Sequence, residues 1–162
     1  MKGVILGINP DASIVDISHN VHPYQILQGA FLIGISHGYF PQNTVHVVIV
    51  DPGVGTDRAA LLLVTPRSFF VAPDNGVLSW VIRKDVNIGD MSLPTRVAVP
   101  NGYRAYSLTN PKFWIHPVSS TFHARDIFAP VAAHISVGAV PQDMGLEVSK
   151  MTYLPDPSPE WQ

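Results

Sequence analysis

The spacing of apolar positions changes several times along the chain, and each spacing predicts an element. Residues 45–50 (VHVVIV) form an almost unbroken apolar run, which predicts a strand buried on both faces, as in a parallel α/β sheet. Residues 60–65 (ALLLVT) and 68–72 (SFFVA) predict two more strands on either side of Pro66-Arg67. The short β-branched stretch 13–18 (SIVDIS) predicts another. Helical spacing takes over between Tyr24 and Tyr39, where Ile26, Leu27, Ala30, Phe31 and Ile35 share a face, and Gly38 and Pro41 end it. A short helix is predicted over 75–83, carrying Val77, Leu78, Val81 and Ile82. A longer one is predicted over 127–137, striped by Ile127, Phe128, Val131, Ala132 and Ile135, with Asp126 near its positive end and Gly138 after it. Residues 1–8 read as a helix or strand stopped by Asn9-Pro10. Between 85 and 120, four prolines leave only one predicted strand, at 96–99.

The alternation of strands and helices gives an α/β class, and 162 residues suit one domain. With 46% hydrophobic and 14% charged residues the chain is no disordered segment, and no apolar run reaches the ~18 residues of a membrane span. A net charge of −2 with scattered Lys and Arg offers no basic stripe for nucleic acid. Zero Cys excludes a disulfide scaffold, a zinc ribbon and a thiol nucleophile, and is compatible with a cytoplasmic address. The apolar run of MKGVILGINP is too short for a signal peptide, and Asn9-Pro10-Asp11 replaces a cleavage site. The body of the domain is read as 1–150, and 151–162, with three Pro in its last nine residues, as a Pro-rich linker.

Two segments concentrate candidate chemistry. DPGVGTDR (51–58) follows a predicted strand with Gly-x-Gly, as phosphate cradles do. Its third Gly is missing, however, and a strand rather than a helix follows, which disfavours dinucleotide binding. A tight interstrand turn remains open. So does a site in which Asp51 ends a strand at the carboxyl edge of the sheet and Arg58 folds back toward it. In SSTFHARD (119–126), His123 sits beside Phe122, Arg125 and Asp126, either as a structural residue or as part of a site, in a chain poor in charge. His19, His22, His37 and His46 show no HExxH or two-His-one-carboxylate spacing, so no metal is expected. No Ser lies in a Gly-x-Ser-x-Gly elbow.

INPDASIVDISHNVHP, YFPQNTVHVVIVDPGVGTDR, FFVAPDNGVLS and SSTFHARDIFAPVAAHISVG occur in this order. As a series they resemble the SAM hydroxide adenosyltransferase family, the adenosine-forming SAM hydrolases related to fluorinase and chlorinase. The resemblance runs from Met1 to about Gly145. It implies the N-terminal domain of that fold, with a central mixed β-sheet flanked by helices. It also implies a homotrimer, with S-adenosyl-L-methionine (SAM) as substrate rather than cofactor, and with no cofactor, nucleic acid or membrane partner. By motif, the hydrolases' water-activating set falls on Asp51, Arg58 and His123. SAM contacts fall on Tyr24, Gly53, Val54, Phe122 and Ala124, and less specifically on Asn75, which a turn explains equally well. Ala124 stands where hydrolases usually carry Gly and the fluorinase a halide-contacting Ser. The implied activity is hydrolysis of SAM to adenosine and L-methionine by water attacking C5′. The alternatives are an idle SAM- or adenosine-binding remnant and a SAM-dependent halogenase, which the intact Asp-Arg-His set disfavours. In the family an N-terminal strand with a ribose-binding Asp precedes the segment MKGVIL, and a C-terminal β domain follows the linker. By this reading the chain carries neither.

Overall fold

The computed structural model describes residues 1–87 and 93–155. At its centre is the predicted hairpin of β2 (Ala60–Val64) and β3 (Phe69–Pro73), paired antiparallel with Leu62 opposite Val71. On the far side of β3 lies β1 (Val45–Val47), paired parallel with Val47 opposite Val71. On the far side of β2 lie β5 (Arg104–Ser107) and then β6 (Leu146–Val148), both antiparallel. The order β1-β3-β2-β5-β6 is a mixed five-stranded sheet. A separate antiparallel ribbon joins β4 (Thr95–Ala98) to β7 (Lys150–Tyr153).

The sheet is buried on both sides because its central strands are apolar at every position, with alternate residues facing opposite ways. Leu61, Leu63, Phe70 and Ala72 face one core. It is closed by Ile33 of α2 (Ile26–Ser36), by Val81 and Ile82 of the single-turn α3 (Ser79–Ile82), and by Met151 and Tyr153 of the ribbon. Leu62, Val71 and Tyr106 face the other, closed by Val131, Ala132 and Ile135 of α4 (Ala129–Ser136). Leu61, Leu62 and Leu63 are at most 1% exposed, so each contributes about 1.5–3 kcal/mol of burial. The packed body continues past residue 150, since Met151 and Tyr153 are core residues and the Leu154 amide donates to Ser79 Oγ at 2.7 Å. The Pro-rich stretch from 156 onward lies outside the described residues.

Three expectations need correction. Residues 13–18 run as irregular chain, because no strand pairs with them among the described residues. Residues 1–8 take the helical of their two readings, as α1 (Lys2–Ile8), which lies along α4 with Asn9 Nδ2 donating to Ser136 Oγ at 2.9 Å. The run 45–50 is not fully enclosed: among the described residues β1 is an edge strand, with Val45 and Val47 half-buried and only His46 of the run buried. His46 stacks on Phe70 at 4.8 Å between ring centroids, and its Nε2 has no partner. Burial, followed by the neighbouring His37, lowers the His46 pKa to about 4. Finally, the C-terminal helix begins earlier than predicted, with a π-helical turn over Ala124–Phe128 that leads into α4 and places Pro130 within its first turn.

Candidate active site

β1 delivers the chain to Asp51, and the turn-rich loop 51–58 folds back so that Arg58 faces it. Arg58 Nε donates to Asp51 Oδ1 at 2.8 Å and to Oδ2 at 3.0 Å, and Nη2 donates to Oδ2 at 2.5 Å. Both side chains are buried, with 7% of Asp51 and 10% of Arg58 exposed. Arg58 also lies over the Phe128 ring at 5.2 Å. Within the loop, Thr56 Oγ1 donates to the Gly53 carbonyl at 2.6 Å, and the Val54 amide donates to the Asp51 carbonyl at 3.3 Å.

The second segment meets the first through one glycine. Gly55 has φ +80°, and a Cβ there would lie 2.5 Å from the Ser120 carbonyl oxygen. Both the backbone conformation and the space demand glycine. Three residues beyond Ser120, His123 Nδ1 sits 2.9 Å from Arg58 Nη2. A guanidinium only donates, so Nδ1 is the acceptor and the neutral imidazole carries its proton on Nε2. Burial and then the Arg58 charge lower the His123 pKa from 6.5, against the opposing pull of Asp51 and Asp126. Protonating Nδ1 would also cost the Arg58 hydrogen bond.

Asp126, expected to favour the helix N-terminus, has a different task. It is fully buried inside the π-helical turn, accepts from the Ser119 amide at 2.8 Å and pairs with Arg125 Nε at 2.6 Å. The Arg125 hydrogen bond lowers its pKa most, opposed by burial and assisted by the Ser119 amide. Asp126 thereby clamps the loop that carries His123.

A cavity of about 320 Å³ opens between residues 18–24 and 49–52, bounded by His22, Tyr24, Val50 and Asp51. That is the small end of the usual ligand-pocket range, ~300–1,000 Å³. Asp51 lines this cavity, and Tyr24, 75% exposed and at φ +66°, stands on its other wall. Gly53 and Val54 lie on the loop between Asp51 and Arg58. Phe122 is exposed and stacks with Arg125 at 5.2 Å, while Ala124 is half-buried beside His123. Asn75 stands apart, its amide engaged by backbone: Nδ2 donates to the Val50 carbonyl at 2.8 Å and Oδ1 accepts from the Val77 amide at 3.1 Å. The pattern of residues missed both this bond and the Asp126 clamp, which join segments far apart in sequence or through the backbone. Among the described residues no three His, Asp or Glu side chains cluster as a metal site, and His19 is paired with Asp16 at 3.0 Å.

The site is thus a buried carboxylate–guanidinium pair joined to a half-buried imidazole, just beyond a strand end of an α/β domain. The profile of the SAM hydroxide adenosyltransferase N-terminal domain matches residues 1–145, and the chain belongs to that family. It is 37% identical over 157 residues to a protein of Salinispora arenicola (strain CNS-205) named (R)-S-adenosyl-L-methionine hydrolase, covering 96% of this chain and 54% of that protein. A protein of the same name from Methanocaldococcus jannaschii is 35% identical over 142 residues, covering 85% of this chain and 47% of its own length. The crystal structure of an uncharacterized conserved protein from Thermotoga maritima superposes with a TM-score of 0.83 at 35% identity, over 95% of this chain and 54% of that one. The chain thus spans about half the length of the curated relatives it matches. No helix among the described residues is long and apolar enough to cross a membrane.

Proposed function

We propose that this chain takes part in the hydrolysis of SAM to adenosine and L-methionine, with Asp51, Arg58 and His123 orienting the attacking water. The observation that carries this reading is the shared guanidinium. Arg58 holds both carboxylate oxygens of Asp51 and the Nδ1 of His123, while Asp51 lines the cavity. The names of the relatives support the same chemistry.

The sulfonium of SAM leaves as a neutral thioether, so the C5′–S bond breaks without a general acid. Its electron pair goes to sulfur, the water oxygen forms the new C5′–O bond, and one proton is released to solvent. What the protein supplies is alignment, placing the water opposite sulfur. Asp51 accepts one water hydrogen. The Nε2–H of His123 donates to the water oxygen, so His123 serves as an orienting donor and not as the base. A second lone pair is then free for C5′. A halide has no hydrogen to offer Asp51 and would meet its negative charge, which favours water as nucleophile. The balanced reaction consumes only SAM and water. Tyr24, Gly53, Val54, Phe122 and Ala124 are proposed to line the bound SAM, and the assembly is proposed to be a homotrimer.

The test is incubation of the chain with SAM in ¹⁸O-water, with products read by mass spectrometry. The expected result is methionine and adenosine labelled at the 5′-oxygen. Folded protein that binds SAM but forms no adenosine would replace this reading with that of an idle SAM binder.

A further inference from the structure

We propose that Asn75 is a positioning residue that sets the direction of Asp51, resting on the role given to Asp51 above. β1 follows β3 through a regular parallel ladder up to Val47, and one further bond, from the Val48 amide to the Val71 carbonyl at 3.0 Å, extends the pairing. Beyond that point the two chains diverge, with β3 entering the turn at Asp74. Asn75 bridges the divergence, its side-chain amide donating to the Val50 carbonyl at 2.8 Å. That carbonyl belongs to the peptide plane joining Val50 to Asp51. That plane also carries the Asp51 N and Cα, so holding it limits the direction in which the Asp51 side chain leaves the backbone to what rotation about φ allows.

Asn75 is well anchored for this task. Its Oδ1 accepts from the Val77 amide at 3.1 Å, which closes a turn over its own backbone. The preceding Asp74 accepts from the Thr152 amide at 2.7 Å and from Arg96, fastening the turn to the β4–β7 ribbon. Gly76, at φ +92°, leaves room for Leu154 to pack directly over the turn. A lever held on three sides thus reaches the residue before Asp51. Asn75 acts through the backbone, and the direct SAM contact expected from its motif gives way to an indirect role.

Asn75→Asp is nearly isosteric and keeps the acceptor for Val77, but it cannot donate to Val50. Two readouts separate its role from substrate contact. In steady-state kinetics, kcat is expected to fall about 10- to 100-fold, the cost of misplacement by an ångström or less, with KM within about twofold. A KM raised tenfold at unchanged kcat would make Asn75 a substrate contact and overturn the proposal, as would an unchanged kcat and KM. The second readout needs no turnover: the ¹⁵N resonances of His123. In the wild-type chain they are expected to show the Nε2–H tautomer, and in Asn75→Asp to move toward a mixture as Asp51 and Arg58 lose register. If the wild-type chain proves idle, the proposed activity fails and this spectrum alone decides. Identical His123 spectra in wild type and Asn75→Asp would then overturn the positioning role, and the expected change would uphold it.

Discussion

Asp51–Arg58 and Asp74–Arg96 are carboxylate–guanidinium pairs just beyond the carboxyl ends of two neighbouring strands, β1 and β3. Their surroundings differ. The Asp74 carboxylate takes the Thr152 amide on one oxygen and Arg96 on the other, and Arg96 reaches on to the Lys150 carbonyl at 2.7 Å with half its side chain in solvent. Asp126–Arg125 repeats the arrangement, with a backbone amide on the carboxylate and a half-exposed guanidinium. In the Asp51 pair both partners are buried, and among the described residues no backbone amide donates to the carboxylate. Asp74 and Asp126 thus tie a guanidinium to the main chain, whereas all three hydrogen bonds to Asp51 come from Arg58. A buried carboxylate that takes a backbone N–H is a fastener. Asp51, tied to no backbone amide among the described residues, is the one of the three to which the proposed function assigns chemistry.

The contrast is broken most directly by neutralising each carboxylate. Asp51→Asn is expected to lower kcat by about 10³-fold, within the general range for such groups, and to lower the melting temperature as well, because it leaves the buried Arg58 charge uncompensated. Asp74→Asn is expected to act on stability alone, lowering the melting temperature while kcat per folded molecule stays within threefold. Kinetics and thermal melts on both variants check this, and equal effects on both observables at the two sites would erase the distinction. Arg58→Lys sharpens it further. An ammonium cannot fork across two carboxylate oxygens and also reach His123, so kcat should fall about 10²-fold, whereas Arg96→Lys should stay near wild type.

Acid probes the same division through histidine. His46 is buried with its Nε2 unpaired, and its pKa is about 4 against 6.5 in the unfolded chain. The unfolded state therefore binds the extra proton first, and stability falls as pH drops from 6.5 toward 4, by up to about 3 kcal/mol. Denaturant melts at pH 7 and pH 4 should show the loss, and His46→Phe should remove most of it. For His123, depressed below 6.5 in the free protein, the acid limb of the kcat/KM profile should also lie below 6.5. At the small end, Lys2→Met should leave the melting temperature unchanged, because Lys2 and Asp16 are 53% and 42% exposed.

Much of this architecture was legible where burial alone decides. The runs 60–65 and 68–72 became the central hairpin because every position in them faces one core or the other. The stretch 13–18 has the same β-branched character and forms no strand, because a ladder needs a partner that periodicity does not report. β5 escaped notice for the opposite reason: Arg104-Ala-Tyr-Ser107 lies among prolines and shows little apolar pattern, yet β2 and β6 hold it on both edges. Asp51, Arg58 and His123 were singled out by residue type in a charge-poor chain and by motif, and the fold brings the three together through one guanidinium. Nothing local distinguishes the aspartate of DPG from that of PDN. Only their partners, 7 and 22 residues away, do so.

The contact between Gly55 and the Ser120 carbonyl has a consequence for how this domain tolerates change. A substitution at 55 removes no functional group, yet it wedges apart the two loops that bring Arg58 to His123. A mutational screen scored only on turnover would therefore rank position 55 among the chemical residues. Under the proposed function, position 55 would be held for a reason of space, and Asp51 for one of chemistry.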